Sequence, residues 1–266
     1  MAAKGFFTDT TVCIGCKACE VACKEWNQLP DDGMFFTGMS YDNTVDLGAS
    51  TWRHVSSVER PVPLESPEGA HGNFSWLLMS DVCKHCQRAG CLENCPTGAI
   101  VRTEFDSVYV QPDVCNGCGY CIVGCPFGVI DRREDDGRAW KCTLCYDRLK
   151  DDMTPACAKA CPTESIQFGD LDELKDRARE RVDHLHERGT TEAYLYGVDA
   201  DNQPGTEGLN AFFLLVDRPE VYNLPPDPVV PTKKAGQAWL SLAAAVLGMA
   251  VAAAGAVVSS AGGDRR

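Results

Sequence analysis

The longest apolar segment of the chain lies close to its C-terminal end. Residues 239–261, WLSLAAAVLGMAVAAAGAVVSSA, include no charged side chain. As a helix, this segment would be roughly 34 Å long, which is enough to cross a hydrocarbon layer of about 30 Å. We therefore predict one transmembrane helix over residues 237–261, anchored in the lipid bilayer. The high alanine content leaves a buried helix of a soluble protein as the alternative.

Periodic patterns in the more polar remainder predict one helix and one hairpin. Between Leu171 and Leu185, apolar residues recur on one helical face, and Asp170 is placed to cap the N-terminus. Residues 99–102 and 107–110 are short β-rich runs separated by a polar turn, which predicts a hairpin.

Two segments are dominated by turn-forming residues. Residues 27–74 carry many Gly, Pro, Ser and Asp residues and predict a long ordered loop. Residues 218–232, RPEVYNLPPDPVVPT, are rich in proline and predict an extended strap that leads to the C-terminal helix.

The cysteines carry the chemistry of this sequence. All sixteen fall into four groups of four, which are Cys13, Cys16, Cys19 and Cys23; Cys83, Cys86, Cys91 and Cys95; Cys115, Cys118, Cys121 and Cys125; and Cys142, Cys145, Cys157 and Cys161. The third group has the spacing C-x2-C-x2-C-x3-C followed by Pro126, which is the ligand pattern of bacterial two-cluster iron–sulfur proteins. The sixteen thiolates therefore predict four [4Fe–4S] clusters.

In this pattern the fourth cysteine of a group closes the neighbouring cluster, so the groups work in pairs. The hairpin leads from group two into group three, and these two groups are expected to pair, which leaves group one with group four. The predicted ligand sets are Cys13, Cys16, Cys19 and Cys161; Cys23, Cys142, Cys145 and Cys157; Cys83, Cys86, Cys91 and Cys125; and Cys95, Cys115, Cys118 and Cys121.

This pairing predicts an α+β fold of two ferredoxin-like modules, one inserted in the other. Residues 1–74 and 138–190 would form the module with groups one and four, and residues 75–137 the inserted module. Residues 191–236 would form an extended tail, followed by the transmembrane helix over 237–261.

Zinc is the main alternative for the cysteines. The pairs Cys142/Cys145 and Cys157/Cys161 could form one tetrahedral zinc site, but the triple runs in groups one and three do not fit two well-separated pairs. A disulfide framework is typical of small secreted domains, whereas this chain has 266 residues. His85 lies between two ligand cysteines and is expected beside a cluster or in solvent, not as a ligand.

Charge and the remaining motifs restrict the function further. The net charge of −13 argues against binding to nucleic acid. The sequence contains no nucleophile elbow, phosphate-binding loop or dinucleotide fingerprint, so no catalytic residue is predicted. The N-terminal residues have no apolar export signal, and the side of the membrane stays open. Four lysines adjoin ligand cysteines and would raise cluster potentials if buried, or have little effect if exposed; they are Lys17, Lys24, Lys84 and Lys141.

These motifs resemble the iron–sulfur β subunit of membrane-bound, formate dehydrogenase-N-type enzymes. The similarity includes CIGCKAC at 13–19, CKEWN at 23–27, CGYC at 118–121, KCTLC at 141–145 and the single C-terminal helix. The resemblance implies a non-catalytic electron-transfer subunit. A molybdenum or tungsten pterin α subunit would oxidise formate, and a cytochrome b γ subunit in the membrane would reduce quinone. The same relay could serve a nickel–iron hydrogenase or another molybdopterin oxidoreductase.

Overall fold

The computed structural model describes residues 2–31, 46–61 and 74–263, together with residues 33, 36, 38 and 44. The chain divides into two compact units, Met1–Val230 and Pro231–Arg266. The elements of the first unit are β1 Lys4–Asp9, α1 Ala18–Asn27, β2 Arg53–Pro61, β3 Phe74–Val82, α2 Gly90–Glu93, β4 Ile100–Arg102, β5 Val108–Val110, α3 Tyr120–Gly124, β6 Asp131–Arg132, β7 Ala139–Trp140, α4 Tyr146–Lys150, α5 Ala156–Lys159, β8 Ile166–Asp170, α6 Leu171–Glu187, β9 Tyr194–Tyr196 and β10 Ala211–Leu215. The second unit contains a 3-10 turn, Pro231–Lys234, and α7 Ala235–Gly263.

A four-stranded sheet of order β8-β1-β10-β9 forms the centre of the first unit. Strand β1 pairs antiparallel with β8 and parallel with β10, and Phe7 lies opposite Phe212 in that register. The two rings stack with their centroids 5.4 Å apart. Helix α6 packs on β1 through the buried side chains of Leu171, Leu174 and Ala178. Burial of this apolar helix face and of the central strands stabilises the body of the unit.

The predicted helix and hairpin are present. Helix α6 begins at Leu171, directly after Asp170, but the Asp170 carboxylate does not cap it. It accepts a hydrogen bond from Lys4 Nζ at 2.7 Å instead, which ties the helix start to β1. Strands β4 and β5 form the predicted hairpin, with Ile100 opposite Val110.

The expected extended tail over 191–236 is wrong for most of its length. Strands β9 and β10 join the central sheet, and all five residues of β10 are buried. Tyr222 and Leu224 are also buried in the core. The reason is the apolar run AFFLL at 211–215, which is typical of a strand covered on both faces and outweighs the prolines around it.

The expected loop over 27–74 contains a strand in its second half. Strand β2 pairs antiparallel with β3 over its whole length, from Arg53 opposite Val82 to Pro61 opposite Phe74. Residues 62–73 and most of 32–45 lie outside the described residues, and so does that part of the prediction. The composition of the segment obscured β2, because the apolar surface that pairs with it is supplied by β3.

Considered alone, the second unit contains a helix that could cross a membrane. The segment Pro231–Ala256 meets the length and apolar composition of a membrane span. This agrees with the sequence-based prediction of a C-terminal apolar helix.

Candidate metal centres

Four cavities in the first unit are each lined by four cysteines. Three of the four come from one group and the last comes from another. Cavity I is lined by Cys13, Cys16, Cys19 and Cys161; cavity II by Cys23, Cys142, Cys145 and Cys157; cavity III by Cys83, Cys86, Cys91 and Cys125; and cavity IV by Cys95, Cys115, Cys118 and Cys121. The four cysteines of each predicted ligand set thus line one cavity.

The donor set and its spacing fit a cluster better than a single ion. All sixteen cysteines have free thiols. Among the described residues, no three His, Cys, Asp or Glu side chains converge so that one metal ion could bind them. Tetrahedral zinc requires ligands within about 2.0–2.3 Å of one point, whereas a cubane is bound at four separate corners. Thiolates that surround a cavity match the second arrangement.

Short helices bring cysteines from distant groups together. Helix α1 packs against α5, and α2 packs against α3. Between α2 and α3 the backbones approach so closely that a Cβ on Gly90 would lie 2.2 Å from the Gly124 carbonyl oxygen. Glycine is therefore required at this crossing. The close approach places Cys91 and Cys125, which flank it, at the same cavity.

Each group also contains a loop residue with a left-handed backbone. It precedes the second cysteine of the group, and its φ angle is +66° at Gly15, +44° at His85, +71° at Gly117 and +60° at Leu144. Glycine adopts this conformation without strain, whereas other residues do so at a cost of about 1–2 kcal/mol. The two non-glycine residues are buried, so groups two and four combine this strain with a side chain in the core.

Arg53 is a fully buried cation between cavities I and II. Its guanidinium donates to Cys157 Sγ at 3.3 Å and to the Ser80 carbonyl at 3.2 Å. Ser80 Oγ in turn lies 3.2 Å from Cys19 Sγ, which lines cavity I. Although burial lowers the pKa of Arg53, the neighbouring Cys157 and Cys19 sulfurs raise it overall, so its charge is retained. No described carboxylate forms a salt bridge with it.

Lys141 and Lys84 are buried beside cavity III, and the alternative that they are exposed is wrong for both. Lys141 Nζ donates to the carbonyls of Cys142, at 2.9 Å, and Val108. Lys84 Nζ forms an ion pair with Asp81, which partly neutralises it.

The other two lysines lie nearer to solvent. Lys17 is partly exposed and its Nζ lies 3.6 Å from a Glu20 carboxylate oxygen. Lys24 donates to the Pro30 carbonyl at 3.2 Å, in an exposed hydrogen bond.

Several buried cysteine thiols lie in surroundings that disfavour a free thiolate. Burial raises the pKa of Cys19 and Cys145 to about 11 and that of Cys91 to about 12. It raises the pKa of Cys142 further, with Cys83 adding to the effect. Because deprotonated sulfur is the ligand form, positive charge from iron and from nearby cations is needed to hold thiolates in these cavities.

Sequence reasoning missed Arg53 and Ser80. Both lie on the paired strands β2 and β3, and each is far in sequence from the cysteine that it contacts. Arg53 also falls within the segment 27–74, which was predicted to be a loop. The available signal was the apolar run Trp76–Met79 just before group two, which predicts a strand and hence a partner strand.

Comparison with known proteins gives consistent matches. Residues 12–99 and 74–171 each match a family model described as a 4Fe-4S dicluster domain. Two such domains and sixteen cysteines give the chain four [4Fe–4S] clusters. The two matches overlap at 74–99, so they do not determine which module is inserted in the other.

Curated relatives extend the similarity over most of the chain. The formate dehydrogenase iron-sulfur subunit of Haemophilus influenzae is 42% identical over 84% of this chain and 68% of its own length. The nitrate-inducible formate dehydrogenase iron-sulfur subunit of Escherichia coli K12 is 41% identical over 84% and 73%, respectively. A subunit of the anaerobic dimethyl sulfoxide reductase from the same strain is 34% identical over 65% and 76%.

Proposed function

The chain belongs to the family of formate dehydrogenase iron–sulfur subunits, and we propose that cavities I–IV each bind one [4Fe–4S] cluster in a relay for electrons from formate. A catalytic subunit with a molybdenum or tungsten pterin would oxidise formate, and a cytochrome b subunit in the membrane would receive the electrons. The observation that carries this proposal is the set of four similar cavities, each lined by four cysteines.

The cysteines that share a cavity support the proposed ligand sets. Cys161 completes the set of group one in cavity I, and Cys23 completes that of group four in cavity II. Cys125 and Cys95 have the same role in cavities III and IV. Bound clusters supply one-electron oxidation and reduction at potentials set by burial, net charge and hydrogen bonds.

Each ligand helix links two neighbouring cavities, which supports a linear order I–II–III–IV. Helix α1 carries Cys19 of cavity I and Cys23 of cavity II one turn apart. Helix α2 carries Cys91 of cavity III and is followed by Cys95 of cavity IV. Lys141 lines cavity III, and the next residue, Cys142, lines cavity II. These adjacent residues connect the pair I–II to the pair III–IV. Cavities I and IV are thus the outer pair, and II and III the inner pair.

Both outer cavities lie near the surface. Cys16 of cavity I and Cys118 of cavity IV are exposed. Apolar residues close to these cysteines in the sequence are also exposed, with Ile14 exposed by 59%, Tyr120 by 63% and Val123 by 84%. Exposed apolar residues next to a buried redox centre suit docking of electron-donating and electron-accepting subunits.

Helix α7 supports an attachment to the membrane. The segment Pro231–Ala256 has the length and apolar composition of a membrane span. We propose that α7 crosses the membrane once and anchors the chain there. The module arrangement, with residues 75–137 inserted between 1–74 and 138–190, belongs to the same proposal and is supported by the packing of α1 on α5 and α2 on α3.

Electron paramagnetic resonance of anaerobic membranes containing the protein tests the donor. Spectra are recorded before and after formate, with dithionite as the control for full reduction. Reduced-cluster signals after formate support the proposal. Signals with dithionite alone reassign the relay to another donor or acceptor, such as the reductase partner suggested by the dimethyl sulfoxide reductase relative. The absence of cluster signals in both samples would overturn it.

A further inference from the structure

His85 is buried in the loop between Cys83 and Cys86 and lines cavity III. Its Nδ1 lies 3.1 Å from the backbone nitrogen of Val108, whose N–H donates to it. An imidazole nitrogen that accepts a hydrogen bond carries no proton, so the ring is neutral and its proton lies on Nε2. The β5 strand, which holds Val108, therefore fixes both the tautomer and the orientation of His85.

The Nε2 atom of His85 has no hydrogen-bond partner among the described residues, although it is fully buried. Buried donors are normally satisfied, and an unsatisfied one calls for a partner that belongs to the site itself. Lys141 and the four cysteines of set III line the same cavity. A lysine offers only donors, so it cannot accept from Nε2. The four cysteine sulfurs that line this cavity can accept a hydrogen bond, and they are the atoms that would hold a cluster there.

We propose that His85 donates a hydrogen bond from Nε2–H to a sulfur of the cluster in cavity III and so raises its reduction potential. The inference rests on the assignment of a cluster to this cavity in the proposed function. A donor stabilises the more negative, reduced cluster more than the oxidised one. Loss of the bond is expected to lower the reduction equilibrium constant about tenfold, which is about 59 mV for a one-electron couple.

The chain itself indicates a suitable variant. Leu144 occupies the equivalent loop position in group four, with φ of +60° against +44° at His85, and is also fully buried. Leucine is therefore compatible with this loop, and His85→Leu removes the donor while keeping an apolar side chain in place. His54→Gln serves as the control, because His54 is buried on β2 but lines none of the four cysteine cavities formed by the described residues.

The direct test is pulsed electron paramagnetic resonance on the purified complex grown with ¹⁵N-labelled histidine. The reduced wild-type protein is expected to show a ¹⁵N coupling to one cluster. In His85→Leu this coupling disappears and the midpoint potential of that cluster falls, whereas His54→Gln leaves both unchanged. The wild-type spectrum alone can overturn the proposal, even if the variant does not fold.

Two outcomes distinguish a failure of the His85 inference from a failure of the cluster assignment on which it rests. If iron analysis finds fewer than four clusters, or if Cys125→Ser leaves every cluster signal intact, the assignment of cavity III fails. If four clusters are present without any ¹⁵N-histidine coupling, or if His85→Leu leaves all midpoints unmoved, only the role of His85 is refuted.

Discussion

The outer cavities I and IV and the inner cavities II and III are built from the same kind of cysteine loop in different surroundings. At the left-handed loop position the outer pair has Gly15 and Gly117, whereas the inner pair has Leu144 and His85. Each outer cavity includes one exposed cysteine, while the cysteines of the inner pair are buried apart from the partly buried Cys125.

The cations beside the inner and outer cavities also differ in burial. Arg53 and Lys141 are buried against the inner cavities, and neither forms a salt bridge with a described carboxylate. Lys17, beside cavity I, is partly exposed and lies close to Glu20. A buried cation is screened much less than a surface one, so it acts more strongly on a nearby cluster. In the proposed relay, the outer pair would contact partner subunits, and the inner pair would have its potential controlled by the protein.

The largest expected contrast comes from removing one ligand in each class. Cys142→Ser should abolish the cluster of the inner cavity II and lower stability strongly, because it leaves a buried site in the core unfilled. Cys16→Ser should abolish one outer cluster with a smaller loss of stability. Iron analysis, with about four iron atoms lost per cluster, and thermal unfolding measure both effects. Equal destabilisation by the two variants would contradict the distinction.

The left-handed residue before the second cysteine provides a second contrast, in the free energy of unfolding. Leu144→Ala keeps the strained backbone but removes buried packing, and should cost about 2–5 kcal/mol of unfolding free energy. Gly15→Ala introduces a Cβ at positive φ and should cost about 1–2 kcal/mol, since the added atom meets only the flexible Leu78 side chain, at 3.1 Å. Chemical denaturation of both variants gives the comparison. A larger loss for Gly15→Ala would refute it.

Arg53→Gln tests the buried charge between cavities I and II. Two midpoint potentials should fall by roughly 60–120 mV, since about 59 mV is a tenfold change for one electron and a charge within about 4–5 Å acts across a low-dielectric interior. Cavity II should respond more, because Arg53 touches Cys157 directly. Arg60→Gln, at the far end of the same strand and paired with Asp217, is the matched control. Redox titration measures the midpoint potentials. Equal shifts in Arg53→Gln and Arg60→Gln would rule out a role for the buried charge.

The smallest effect is expected from comparing two lysines. Lys141→Met should lower the potentials of the inner clusters, whereas Lys17→Met should shift cavity I by less, because water and salt screen an exposed charge. Redox titrations at low and high salt measure this. A shift for Lys17→Met that equals that of Lys141→Met and ignores salt would show that burial does not decide the effect.

The cysteine spacing predicted much of the candidate site, because ligand loops are local and their spacing follows cluster geometry. The hairpin over 100–110 and helix α6 were also predictable, since each has a local sequence pattern that is typical of one kind of element. The positions of Arg53 and of β10 were not. Their burial depends on partners that lie more than 100 residues away, Cys157 for the first and β1 for the second.

By itself, then, the sequence determined the ligand chemistry, the number of clusters and the presence of a terminal apolar helix. These features are encoded in spacing and composition over short distances. Only the tertiary structure decided which lysines are buried, and that the Nε2 atom of His85, which lines cavity III, has no hydrogen-bond partner among the described residues. Such properties arise from the meeting of distant segments, because burial and electrostatic environment belong to the packed structure and not to any one stretch of chain.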